Sequence, residues 1–149
     1  MDEINYASAK TIAQAIRDKE VSAVEAVEAH LQRIDEVNPK LNAVVHLAAD
    51  RALSEAREAD AATARGESKG PLHGVPMTVK DSHDTEGLVS TGGTKGRENF
   101  VPERDATTVA RMRAAGAIVL GKTNTPELTL AFETDNLIYG RTNNPYDLD

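Results

Sequence analysis

Apolar residues in the first third of the chain recur at steps of three and four, the period of a helix with one buried face. Ile12 and Ile16 share a face of a first predicted helix, which Ser8 caps and which ends near the charged stretch from Arg17 to Glu20. Ser22-Ala23-Val24-Glu25 has the spacing of a capping box. Val24, Val27, Leu31, Ile34 and Val37 then line one side of a second helix, which Asn38-Pro39 is expected to stop. Ala43 to Leu47 is a short apolar run suited to a strand. The Ala-, Glu- and Arg-rich stretch from Ala48 to about Arg65 predicts a third helix, stopped at Gly66.

After a polar linker from Glu67 to Gly70 the texture changes. Gly74 to Val79 reads as a strand, residues 82 to 105 are rich in turn formers, Thr107 to Ala115 is helical, and Ala117 to Leu120 is another strand. Helices alternating with buried strands predict an α/β fold in which these two segments are interior strands of one sheet. Residues 1–69 form a helical N-terminal region and residues 70–149 the start of a core, together one incomplete domain. The segment from Asn143 to Asp149 is polar and turn-like, with no element that would close the fold, so the ending reads as a cut.

Composition narrows the function classes. The chain has 149 residues, 40% hydrophobic and 28% charged, within the range of one globular domain, but only 3% are aromatic and none is Trp, so the core is built from Ala, Val, Ile and Leu. A net charge of −7 opposes binding to phosphate backbones, and nucleic acid is not expected as a direct partner. The absence of Cys removes disulfides, zinc-thiolate sites and a cysteine nucleophile. The N-terminus MDEINYASAK has no secretory h-region and no apolar run approaches a membrane span, so a cytoplasmic protein without a membrane partner is expected.

Candidate chemistry is sparse until the pieces are combined. Lys80 ends the apolar segment Gly-Val-Pro-Met-Thr-Val, where a strand leaves a sheet and open α/β folds place ligands, although a lysine there is most often a solvated surface residue. Ser82, His83 and Asp84 carry the letters of a hydrolase triad, but three consecutive side chains diverge and cannot converge on one substrate. Asp81, His83 and Asp84 in a polar loop are better read as solvated than as metal ligands, and no metal or cofactor is expected. Ser90-Thr91-Gly92-Gly93 suits a turn more than an anion-binding nest.

Gly116-Ala-Ile-Val-Leu-Gly121-Lys122-Thr123 matches the phosphate-loop pattern letter for letter. A phosphate loop follows a strand and opens a helix, whereas here a helix precedes Gly116, the middle is strand-like and Pro126 soon follows. Gly116 is better explained as the residue just past a helix end. A non-catalytic nucleotide-binding module using GAIVLGKT nonetheless stands as the alternative from another function class.

Taken together, GPLHGVPMTVKD, STGG, RDATTVARMRAAGAIVLGKTNTPEL and YGRTNNPYDLD resemble the amidase-signature family in order and spacing, closely over residues 70 to 149. The resemblance implies a layered α/β/α sandwich around a mixed sheet. It also implies amide hydrolysis by a Ser-Ser-Lys triad, in which Lys80 works through a bridging serine held on a cis peptide. A second serine attacks the carboxamide, an acyl-enzyme forms, and backbone N–H groups hold the oxyanion. By the same resemblance Thr129 lines the acyl pocket. In the family a Gly-Ser-rich segment carrying both serines follows a stretch like NNPYDLD; here the chain ends at Asp149. This segment alone is therefore expected to be inactive.

Lysine serves as a base only when neutral, so its ordinary value of about 10.4 must fall by roughly two to three pH units, which burial can achieve. If the strand runs through residue 81, Asp81 points to the opposite face from Lys80 and is free to hold the turn. The resemblance implies a small-molecule amide as substrate. It leaves open a free-standing amidase or the glutamine-hydrolysing subunit of a tRNA-dependent amidotransferase. The partners it allows are a second copy of the chain or amidotransferase subunits.

Overall fold

The computed structural model describes residues 4–148. Its elements are α1 (Ala9–Arg17), α2 (Ala23–Leu41), β1 (Val44–Leu47), α3 (Ala49–Ala64), β2 (Pro76–Lys80), α4 (Thr107–Ala114) and β3 (Ile118–Thr123), with short 3-10 turns at Ile4–Tyr6, Lys95–Arg97 and Glu127–Thr129. Helices and a mixed three-stranded sheet of order β1-β3-β2 make this an α/β fold. Strands β1 and β3 are antiparallel. Ile118 N–H donates to Val75 O and Asp81 N–H to Thr123 O, so β2 and β3 run in the same direction. Among the described residues no helix is long and apolar enough to cross a membrane.

The helix starts follow the sequence closely. Ser8 Oγ accepts Thr11 N–H at 3.1 Å. At the start of α2, Ser22 Oγ accepts Glu25 N–H at 3.0 Å and the Glu25 carboxylate takes Ser22 N–H at 2.7 Å, the reciprocal capping box. One boundary differs from expectation: α2 runs through Pro39 to Leu41. Near a helix end a proline costs few intrahelical bonds, and Asn42 N–H still reaches Asn38 O at 2.8 Å. The helix stops instead at Asn42, whose φ is +52°.

The chain forms two compact units that interleave along the sequence. Of the described residues, the first comprises 4–33, 48–77 and 110–120. Its core joins Ile12, Ile16 and Val27 to the alanine face of α3 (Ala52, Ala56, Ala59) and to Val75 and the Ile118-Val119-Leu120 run, all buried. Each fully buried branched side chain stabilises by about 1.5–3 kcal/mol, so β3 is a main contributor. Asp60 of α3 accepts Ala23 N–H at 2.7 Å and Val24 N–H at 3.1 Å, adding a long-range cap to α2. His73 is fully buried and satisfied: Nδ1 accepts Lys69 N–H, leaving Nε2 to donate toward Ala59 O and Thr63 Oγ1.

Of the described residues, the second unit comprises 34–47, 78–109 and 121–148, and its buried side chains are polar more than apolar. Asn38 Oδ1 accepts Ala43 and Val44 N–H. Asn42 Nδ2 donates to Tyr139 O at 2.7 Å. Asn124 Nδ2 donates to Gly140 O at 2.9 Å, and Asn136 Nδ2 donates to Asn124 Oδ1 at 2.7 Å. These bonds fix the 124–143 segment, which has no long helix or strand of its own.

Two strand expectations are corrected. β3 continues to Thr123 rather than ending at Leu120, and it is the central strand, while β2 lies at an edge of the sheet instead of in its interior. Gly121 explains the extension: a Cβ there would lie 2.1 Å from His46 O, so only glycine lets β1 pair this closely.

Candidate active site

β2 delivers Lys80 and Asp81 to opposite sides. Lys80 is exposed and Asp81 is 0% exposed, as the alternation of a strand requires. The backbone at this point is pinned: Asp81 N–H donates to Thr123 O at 2.8 Å and His83 N–H to Lys80 O at 2.9 Å. The Asp81 carboxylate accepts both Thr91 N–H, at 3.1 Å, and the Thr91 hydroxyl, and Asp81 O accepts Gly92 N–H at 3.3 Å. Asp81 therefore holds the turn after the strand.

The buried ammonium of this unit belongs to Lys122. Its side chain is 0% exposed, and Nζ lies 2.6 Å from His83 O, 2.7 Å from Ser90 Oγ and 3.8 Å from Asp81 Oδ1. Burial pushes this amine down to about 8, a drop partly offset by the charge of Asp81. The neighbouring Tyr139 phenol is pushed up, first by burial and then by the charge of Asp81.

A lysine with lowered basicity beside a serine suggests a Ser-Lys dyad, but the hydrogen bonds argue against one here. The Ser90 hydroxyl donates to Leu88 O while accepting from Thr85 N–H and the Lys122 ammonium, which occupies its lone pairs. Ser90 is also 0% exposed, so no substrate reaches it. This pair is structural.

The remaining sequence candidates separate. Ser82, His83 and Asp84 border one shallow cleft, but the Asp84 carboxylate is taken by Arg97, which also stacks over Phe100 at 4.3 Å, and His83 is exposed. Among the described residues no group of three His, Asp or Glu side chains is placed to hold a metal ion. In the Ser90–Gly93 turn the Gly92 and Gly93 N–H groups are taken by Asp81 O and Thr91 Oγ1, which leaves neither for an anion. Gly116, at φ +96°, closes α4 by donating to Arg113 O, while Lys122 sits inside a strand with no access to a phosphate. Thr129 is exposed with φ +63°, next to Leu128 with φ +49°. Two consecutive non-glycine residues in the left-handed region are strained, and such strain gathers at functional sites.

Lys122 and Thr91 escaped the sequence reading as partners of Asp81, and Ser90 as a partner of Lys122. No local signal marks them, since Gly121 and Lys122 are poor strand residues and the acceptors of Lys122 lie 32 and 39 residues away.

The family model described as Amidase matches residues 25–149. Over 147 residues the chain is 44% identical to a subunit of the glutamyl-tRNA(Gln) amidotransferase of Carboxydothermus hydrogenoformans, covering 99% of this chain and 30% of that protein. It is 46% identical over 142 residues to the indoleacetamide hydrolase of Bradyrhizobium diazoefficiens, covering 95% and 27%. Among solved structures it is similar to a bacterial aryl acylamidase of the amidase signature enzymes, at TM-score 0.90 and 33% identity, covering 97% of this chain and 30% of that one. It is also similar to a fatty acid amide hydrolase, at TM-score 0.92 and 27% identity, covering 99% and 26%. The chain thus spans about 30% of the curated relatives it matches.

Proposed function

The chain belongs to the amidase-signature family, and on that premise we propose that it contributes the lysine arm of an enzyme that hydrolyses carboxamide C–N bonds, with Lys80 as the base. The observation that carries the reading is the split at the end of β2: Lys80 faces outward, while Asp81 is turned inward and used by the turn and by Lys122. An amine that shared its side of the strand with a carboxylate would be held charged, and this arrangement avoids that.

In the proposed reaction the Lys80 amine takes a proton from a bridging serine, which relays the proton of a second serine as that oxygen attacks the amide carbon. The C–N bond breaks, the amine leaves carrying a proton returned along the relay, and water releases the acyl group by the reverse sequence. By the family resemblance both serines belong to the Gly-Ser-rich segment that follows a stretch like NNPYDLD. Lys80 is exposed, and on this reading the surface that brings the serines also covers its side chain from water. Thr129 fits an acyl-contacting position: it is exposed, and its strained backbone is held by Thr129 N–H donating to Pro126 O at 2.9 Å.

A second reading is favoured by the relatives named as glutamyl-tRNA(Gln) amidotransferase subunits: the same triad releases ammonia from glutamine for partner subunits. The test is complementation. The chain is fused to a downstream segment bearing both serines, and turnover of a simple carboxamide and of glutamine is measured with and without amidotransferase partner subunits. Lys80→Ala should abolish turnover, by about 10²–10⁴-fold. Activity retained in Lys80→Ala removes the assignment, and glutamine turnover that depends on partners selects the second reading.

A further inference from the structure

Lys122 is fully buried, yet the proposed reaction has no use for it. Burying a lysine is costly unless its ammonium finds partners, and three groups surround this one: a carbonyl and a hydroxyl that accept hydrogen bonds from it, and a carboxylate at ion-pair distance, 3.8 Å. They are His83, Ser90 and Asp81, which lie at the two ends of the loop that begins directly after Lys80. The link to Lys80 is short: the Lys122 ammonium donates to His83 O, and His83 N–H donates to Lys80 O. The other end of the loop is tied by the Ser90 hydroxyl, which accepts both the ammonium and Thr85 N–H.

We infer that Lys122 is a positioning residue for Lys80, its buried ammonium fastening residues 83 and 90 over the Asp81 carboxylate and so fixing where β2 ends and the Lys80 side chain departs. The significance of the position rests on the reading of Lys80 as the base, but the geometry does not. A lysine buried merely to fill the core would stabilise the whole unit evenly. A clamp acts on the loop.

The experiment uses the 149-residue chain itself, labelled with ¹⁵N, and reads order rather than turnover. Lys122→Met keeps the stem and removes the donors. Amide exchange at His83, Thr85, Ser90 and Thr91 should then quicken about ten- to hundred-fold relative to Asn143, whose N–H donates to Leu41 O in the same unit, as expected for losing a hydrogen bond to a charged group. The heteronuclear NOE at Lys80 and Asp81 should fall, and Lys80→Met should change neither. Equal acceleration at Asn143 and in the loop, or an unchanged loop, would overturn the inference. If Lys122→Met does not fold, the wild type provides the second measurement. As pH rises through the titration of the Lys122 ammonium, followed by its ¹⁵Nζ signal, the amide shifts of Asp81 and His83 should move with the same midpoint. Asp81, Asp84, Arg97, Asp105 and Tyr139 are the charged and titratable groups around that ammonium and its pair. Amide shifts that ignore it would overturn the inference equally. Since no turnover is measured, failure here leaves the assignment of Lys80 standing, and failure of the complementation test leaves this result readable.

Discussion

Gly121→Ala is the sharpest probe of the sheet. The added Cβ would lie 2.1 Å from His46 O and 3.1 Å from Leu47 Cα, both backbone atoms of β1. Backbone cannot rotate away as a side-chain tip can, so β1 must move off by about 1 Å to restore a C···O contact of roughly 3.3 Å. That displacement breaks the pairing of Val44, His46 and Leu47 with Thr123, Lys122 and Gly121. Overpacking costs about 1–3 kcal/mol and each lost ladder bond about 0.5–1.5 kcal/mol, so the variant should lose about 2–5 kcal/mol. Urea unfolding measures this, with Gly96→Ala as control, because a Cβ there meets nothing within 4 Å. Loss of less than about 0.5 kcal/mol, the range of an ordinary surface substitution, would refute the pairing of β1 against Gly121. Calorimetry on the wild type adds a second arm: magnesium-dependent ATP binding would return this glycine and Lys122 to a phosphate loop.

Two further predictions concern charge and surface. Burial holds the Lys122 amine at about 8 against its ordinary 10.5, so between these values the unfolded state binds more protons and this residue makes stability rise with pH, by up to about 3 kcal/mol. Urea unfolding at about pH 7.5 and pH 9.5 should show the rise and Lys122→Met should flatten it. The raised Tyr139 phenol opposes the trend only above its ordinary 10, and a wild-type fall in this window that Lys122→Met leaves unaltered would refute the linkage. Leu130, Phe132, Leu137 and Tyr146 are each more than 80% exposed, so the chain should self-associate in sedimentation experiments, and a monomer at high concentration would contradict this.

Local chemistry was readable wherever the signal and its consequence lay within a few residues. Ser8 and the Ser22/Glu25 box start their helices as read, and the alternation at Lys80 and Asp81 puts the carboxylate inside. What the sequence concealed depends on distant residues. Pro39 looked like a stop because its own constraints are local, whereas the helix end is set at Asn42, whose side chain binds the carbonyls of Tyr139 and Arg141. β3 looked finished at Leu120 because glycine and lysine are poor strand residues. Gly121 is there for the close approach of β1 and Lys122 for acceptors 32 and 39 residues away. The asparagine network of the second unit was invisible for the same reason: Asn residues in a turn-rich stretch read as turn formers until their partners are known.

Lys80 and Lys122 together define what a lysine must satisfy to act on an amide in this fold. Lys122 has the depressed basicity a general base needs, but the burial that lowers it also seals it behind Ser90 and His83, both occupied as its partners. Lys80 has the access, at the end of an edge strand, with the nearest carboxylate in sequence turned away. The two requirements are incompatible in one exposed strand end, since the water that admits a substrate also stabilises the ammonium. They become compatible only if Lys80 is covered by surface that also carries the serines, so that the cover lowering its basicity is the same surface that supplies its proton donor. On this argument, adding the serine-bearing segment should bury the exposed Lys80 side chain before any substrate is bound, and the rate at which a small acylating reagent modifies it with and without that segment measures this. A side chain equally accessible in both would leave Lys80 without the cover its role as a base requires.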